Sequence, residues 1–171
     1  MMDRRHFTGL LLATSALLQP ASAQSVPSAA AALNGQHPAA YYRKAAELFQ
    51  SGQKDAAVFV FYLGQLRYRT HLRARPDLKP DGDPALFASL GEVVGKPLNE
   101  YAFGDLPKLD EMLKAVLAYD RQNPDSFTSA AQFPAVHAQQ REGMDSMRRQ
   151  IVARADDIRR QRTSNGLENR R

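Results

Sequence analysis

From His37 onward, apolar side chains return every three or four positions, the spacing of helices with one buried face. Helix-breaking residues cut this pattern into about five stretches. The first runs from Pro38 to Ser51, with proline at the position where its missing N–H is harmless and Gly52 as the stop. The second covers Lys54 to Ala74 and ends ahead of Pro76. A third opens on Asp83 and Pro84, a cap followed by a proline, and heads towards Gly95. Pro97 then interrupts it, leaving a short turn to Tyr101. A fourth spans Leu106 to Arg121, with Asp105 as cap, Pro107 just inside and Asn123-Pro124 after it. The fifth begins near Pro134 and is expected to continue to about Arg162.

Two of these stretches carry most of the architectural information. Val58-Phe59-Val60-Phe61-Tyr62-Leu63 has strand propensity when read alone. It lies inside a helix-length pattern with no turn residues on either side, which favours a helix. An apolar run that covers every side of a helix predicts a central rod touched by neighbours all round. In the fifth stretch, Met144, Met147, Ile151, Ala155 and Ile158 fall on one face, with the arginines mostly outside it. The expected fold is therefore all-α: a single-domain helical bundle built on a central hairpin, with a long C-terminal helix.

The start of the chain reads as an export signal rather than as part of the fold. Arg4 and Arg5 precede an apolar run from Phe7 to Leu18, which is shorter than the ~20 residues needed to span a bilayer. Pro20 follows, then Ala21-Ser22-Ala23, which suits a signal peptidase cutting before Gln24. The stretch Asp3-Arg4-Arg5-His6-Phe7 resembles a twin-arginine signal, although Thr8 replaces the usual Leu. A general secretory signal fits as well. The expected organisation is a signal peptide over 1–23, a flexible Ala/Ser-rich leader over 24–36, a helical domain over 37–162 and a disordered tail over 163–171. That places the mature protein in the periplasm or outside the cell, without stable membrane insertion.

Composition narrows the chemistry. The chain has 171 residues, 43% of them apolar and 24% charged, which fits a globular domain rather than a disordered one. It has no Cys, so disulfides, thiolate catalysis, Cys-ligated zinc, iron–sulfur clusters and a lipoprotein anchor are all excluded. The net charge of +5 is unevenly spread. Residues 24–136 hold 12 basic and 12 acidic side chains, whereas residues 137–171 hold nine Arg against five acids. Four net charges diluted by acids make a poor phosphate tracker, so nucleic acid is not the expected partner. A solvated helix face is the plainer reading.

The first two helices resemble one tetratricopeptide unit, a helical hairpin of about 34 residues with small and large side chains at set positions. Tyr41 stands at the first large aromatic position and Ala45 at the small position facing it. Leu48 takes the next large slot and Gly52 the turn. Ala57 takes the most restricted small site, Phe61 the later aromatic and Gly64 the last small residue. Lys44 departs from the family's Leu, and the closing proline comes only at Pro76. The likeness covers Pro38 to Arg69, about a fifth of the chain, in a single copy. It is either a relative of that family or a hairpin obeying the same packing rules. It implies a groove for a protein or peptide, and no catalytic residues.

Site chemistry is sparse. His37, His71 and His137 show no metal-ligand spacing, and no cofactor motif is present, so neither metal nor cofactor is expected. The run Arg67-Tyr68-Arg69-Thr70-His71, with Tyr42 from the preceding helix, forms a candidate binding patch for a carboxylate or peptide. Alternatively its arginines pair with the acids of the next loop. That loop brings Asp77, Asp81 and Asp83 close together but lacks the ligand series of a calcium loop. Glu100 and Asp105 could form an acid pair for carbohydrate or peptidoglycan hydrolysis, although Asp105 also suits a cap. The expected function is an exported, non-enzymatic module that binds a protein or peptide. The alternatives are an inhibitor or immunity protein against a toxin or cell-wall hydrolase, and an enzyme resting on Glu100 and Asp105.

Overall fold

The computed structural model describes residues 26–171, so the predicted signal peptide and its cleavage point lie outside the described residues. The elements in chain order are α1 (Val26–Ala31), α2 (Ala39–Gln50), α3 (Lys54–Ala74), α4 (Asp83–Leu90), a π turn (Gly91–Gly95), α5 (Lys96–Ala102), α6 (Leu106–Gln122), α7 (Pro134–Ala153) and α8 (Ala155–Ser164). No strand occurs among the described residues. The chain is an all-α bundle. No helix among the described residues is long and apolar enough to cross a membrane.

The central rod is α3, which occupies the predicted range Lys54–Ala74. Every residue from Ala56 to Gly64 is buried. Such all-round burial needs covering elements on several sides, and α1, α2, α4, α5, α6 and α7 all pack on α3. The rival strand at Val58–Leu63 would have needed a partner strand, and none of the neighbours is extended.

The hairpin between α2 and α3 turns at Gly52, whose φ of +81° favours glycine. The N–H of Gly52 reaches the Phe49 carbonyl, and the N–H of Gln53 reaches the Leu48 carbonyl, which satisfies the end of α2. Further along, the helices approach closely where Gly64 meets Tyr41. A Cβ added at Gly64 would lie 2.4 Å from the Tyr41 Cβ, so any larger residue must push the two helices apart.

Elsewhere the elements follow their local signals with instructive exceptions. The Asp105 side chain accepts from the Lys108 N–H and caps α6. Pro97 does not break the third helix. The helical path continues through the π turn into α5 with right-handed angles at Gly91 and Lys96. One extra residue in the turn shifts the hydrogen-bond ladder and accommodates the ring's missing N–H.

The long C-terminal helix is bent at Arg154, between α7 and α8. Asp156 and Asp157 occupy the first turn of α8, where carboxylates are favoured, and each pairs with an arginine three residues on. The predicted stripe holds across the bend. Met144 and Ile151 are buried, while Met147, Ala155 and Ile158 pack partly against the core.

Both chain ends of the described region are more ordered than composition suggests. Part of the expected leader forms α1, and Ala29, Ala30 and Leu33 join the core. Small apolar side chains suffice there because α1 lies directly on α3. At the C-terminus, the Arg170 N–H donates to the Gly104 carbonyl at 2.6 Å. The Arg170 guanidinium lies 4.1 Å from the centre of the Tyr101 ring. These contacts hold a tail expected to fray.

Candidate functional site

The predicted patch does not form a common open surface. Tyr42 and Tyr68 are fully buried, Arg67 is 1% exposed and His71 7%; only Arg69 faces outward. The reason is the position of α3. On a rod covered all round, a charged residue within the buried run is carried inside with its neighbours.

Arg67 is held by a complete set of partners. Its Nε donates to Asp120 Oδ1 at 3.2 Å, and Nη2 to the Asn123 carbonyl at 2.6 Å. Nη1 donates to Asn34 Oδ1 at 3.3 Å and to the Tyr41 hydroxyl, and lies 3.9 Å from Asp125 Oδ1. The second oxygen of Asp120 accepts from Arg141 at 3.0 Å. Burial alone would lower the Arg67 pKa, but Tyr41, Asp120 and Asp125 outweigh it and the net shift is upward. Burial likewise raises the Tyr41 hydroxyl to about 12, against the opposing pull of Arg67. This guanidinium joins the residues after α1, α2, α6 and the loop after α6. Its partners are therefore not the acids of the loop after α3. Tyr42 differs again: its hydroxyl is buried without a hydrogen-bond partner among the described residues, and its ring lies among those of Phe61, Tyr68 and Phe87.

Arg69 stands at a real concavity. A groove of about 300 Å³ runs between α3 and α7, lined by Gln65, Leu66 and Arg69 on one side and Gln140, Gly143, Met144 and Met147 on the other. Leu66 and Met144 form its apolar base, and the amides and Arg69 supply the polar groups. The Arg69 guanidinium lies 5.7 Å from the centre of the Phe87 ring and makes no hydrogen bond or ion pair among the described residues. Arg73, one turn further along the same face of α3, is exposed and makes no ion pair among the described residues.

Gly143 adds a second observation. A mid-helix glycine costs about 1 kcal/mol relative to alanine. A Cβ at Gly143 would meet nothing within 4 Å, so internal packing does not require the glycine. Gly143 is exposed and lines the groove.

The C-terminal arginines behave differently. Arg141, Arg148, Arg149, Arg159 and Arg160 are each paired with a nearby carboxylate. Arg141 and Arg148 tie α7 to Asp120 and Asp110 of α6, whereas Arg149, Arg159 and Arg160 pair with carboxylates of their own helix.

Glu100 and Asp105 line different hollows. Asp105 borders a crevice with Asp55, Tyr101 and Lys108, whereas Glu100 borders an open depression with Glu92, Lys96 and Arg162. With Asp105 also serving as a cap, the two carboxylates do not flank one cleft as glycoside hydrolysis requires.

One constellation has no counterpart in the sequence reading. His37 from the loop before α2, His71 from the last turns of α3 and Asp83 at the start of α4 converge, with one ligand atom from each within 4.8 Å of the others. His71 Nε2 lies 2.8 Å from Asp83 Oδ2, and His37 Nε2 lies 3.2 Å from the same carboxylate. Asp83 therefore turns its carboxylate to the histidines instead of capping α4. Burial pushes the Asp83 carboxyl upward, but hydrogen bonds from His71 and His37 outweigh this and hold it below the ordinary range. Asp77 and Asp81 take no part in the cluster. The three residues come from separate segments, so no spacing motif announces them; the only signal is that each lies at an element end.

No family model, curated protein or solved structure matches the chain.

Proposed function

We propose that this chain is an exported helical binding protein whose groove between α3 and α7 receives a carboxylate-bearing segment of another protein. The observation that carries the reading is that Arg69, which makes no hydrogen bond or ion pair among the described residues, lines one groove with Gly143, a glycine that the packing of the fold does not need. A backbone can approach closely at Gly143, Met144 and Met147 adapt their shape to an apolar side chain, and Arg69 offers a forked donor to a carboxylate. Gln65 and Gln140 supply donors and acceptors for the occupant's main chain. Export through the signal at residues 1–23 supports a periplasmic or extracellular setting for this exchange. The tetratricopeptide-like pattern of the α2–α3 hairpin is consistent with such a role, since it too implies a bound peptide.

The test is a displayed random-peptide library panned against the protein. Enriched peptides should carry Asp, Glu or a free C-terminus next to apolar residues, and both Arg69→Glu and Gly143→Gln should abolish their enrichment. Enrichment without acidic residues, or unaffected by either substitution, would overturn the reading. Export is checked separately by the N-terminal mass of the protein recovered outside the cytoplasm, which should begin at Gln24.

A further inference from the structure

The convergence of His37, His71 and Asp83 has no role in the groove reading, and its donor set is that of a metal site. We infer that these three residues bind one divalent transition-metal ion of zinc's class, through two imidazole Nε2 atoms and one carboxylate, with a coordination position left open to solvent.

The ligand types come first. Two imidazoles and a carboxylate suit zinc and its neighbours better than calcium or magnesium, which prefer all-oxygen shells. Three protein ligands plus an exchangeable position is the pattern of labile and catalytic zinc sites, whereas structural sites are closed by four.

The geometry is nearly assembled. The donor atoms of Asp83 and the two histidines are 2.8 and 3.2 Å apart. Neighbouring donors around a tetrahedral ion with bonds of about 2.0–2.1 Å are separated by roughly 3.3 Å. All three ligand atoms lie within 4.8 Å of one another, so an ion can replace the shared protons once the two imidazoles draw in around it. The ligand side chains are 35% (His37), 9% (His71) and 22% (Asp83) exposed, so the site is anchored on one side and open on the other.

The surroundings hold the rings in place. Phe127 meets both histidines edge-on or tilted, with ring centres 5.1 Å from His37 and 5.2 Å from His71. The Tyr68 hydroxyl lies 3.3 Å from the Asp83 carbonyl and 3.5 Å from Oδ1, where it steadies the carboxylate. On the far side of His71, Nδ1 lies 3.5 Å from the Thr128 hydroxyl. Once Nε2 binds an ion, Nδ1 carries the proton and has this oxygen to donate to, the outer-shell contact metal-bound histidines usually make.

His37 needs one adjustment. Its Nδ1 now accepts the Ala39 N–H at 3.2 Å, which puts its proton on Nε2. Binding moves that proton to Nδ1 and breaks its hydrogen bond with the Ala39 amide, a first-turn donor of a buried residue, so metal binding must offset this loss. His71 and Asp83 are thus the preorganised pair, and His37 closes on the ion.

The experiment titrates metal-stripped full-length protein with Co²⁺, followed by visible absorption, and then with Zn²⁺ in competition. The expected result is one Co²⁺ per chain, with the intense bands of a four- or five-coordinate ion and displacement by one Zn²⁺. His37→Gln and Asp83→Asn should each weaken binding about 100-fold or more, since loss of even an outer contact typically costs 10–100-fold. Asp81→Asn should bind as the parent does. His37 is partly exposed, so its variant stays folded, as circular dichroism will show, and reports on binding alone. Absence of the cobalt bands, or binding unchanged in both His37→Gln and Asp83→Asn, would overturn the assignment. So would loss of binding in Asp81→Asn, which would move the ion to the acidic loop.

Discussion

Arg67 and Arg69 are two residues apart on one helix and lead opposite lives. Each residue of an α-helix turns the side chain by about 100°, so a step of two points it to the far side. Arg67 enters the core and meets Asp120, Asp125, Asn34, Asn123 and Tyr41. Arg69 emerges beside a groove, lies over the Phe87 ring and makes no hydrogen bond or ion pair among the described residues. The same guanidinium is a structural tie in one place and an available donor in the other, and its surroundings alone decide which.

The comparison is broken most violently at Arg67. Arg67→Ala leaves Asp125 buried without its cation and Asp120 with Arg141 alone. Removing one partner of a buried pair typically costs about 3–5 kcal/mol, and urea denaturation should show a loss of that size. Gly64→Ala attacks the same side more gently. The new Cβ drives into Tyr41, whose hydroxyl accepts from Arg67, and overpacking of this kind costs about 1–3 kcal/mol. A melting temperature equal to the parent's would show that α2 and α3 can separate at this point without cost.

Two substitutions should move the other way. Tyr42→Phe removes a buried hydroxyl that has no partner, with an expected gain of about 1 kcal/mol in denaturation. Gly143→Ala should also stabilise, by about 1 kcal/mol through helix propensity, because the added methyl meets nothing. A loss of stability there would mean that the glycine serves the fold and not the groove. Least of all should happen with Arg69→Ala, whose thermal stability should stay within about 0.5 kcal/mol of the parent, as for surface sites outside a network. A large loss would place Arg69 beside Arg67 as a second tie.

How much of this could be read from the residues follows from the range of the forces involved. The ends of α3 and the Asp105 cap of α6 are local matters of side-chain period, proline and caps, and they were legible. The bend at Arg154 was not, because no glycine or proline marks it. The burial of Arg67 had a signal that a charge-based reading passes over: Leu63, Leu66, Tyr68 and Thr70 all turn inward around it, so a charge there must enter with them. Its partners, 53 and 56 residues away at Asp120 and Asn123, carry no mark in the sequence. The same holds for His37, His71 and Asp83, which only the packing of α4 against α2 and α3 brings together. The groove was half legible: Arg69 was a candidate, but α7 as its opposite wall was not.

The early place of α3 in the chain has a consequence during synthesis. Among the described helices, α1 and α2 precede it, and the acid and carbonyl that receive Arg67 follow more than fifty residues later. At about 5–20 residues per second that delay lasts roughly 3–11 s. During that window Arg67 has Asn34 and Tyr41 to donate to but no carboxylate, so the ion pair that ties the bundle together closes only after α6 has been translated.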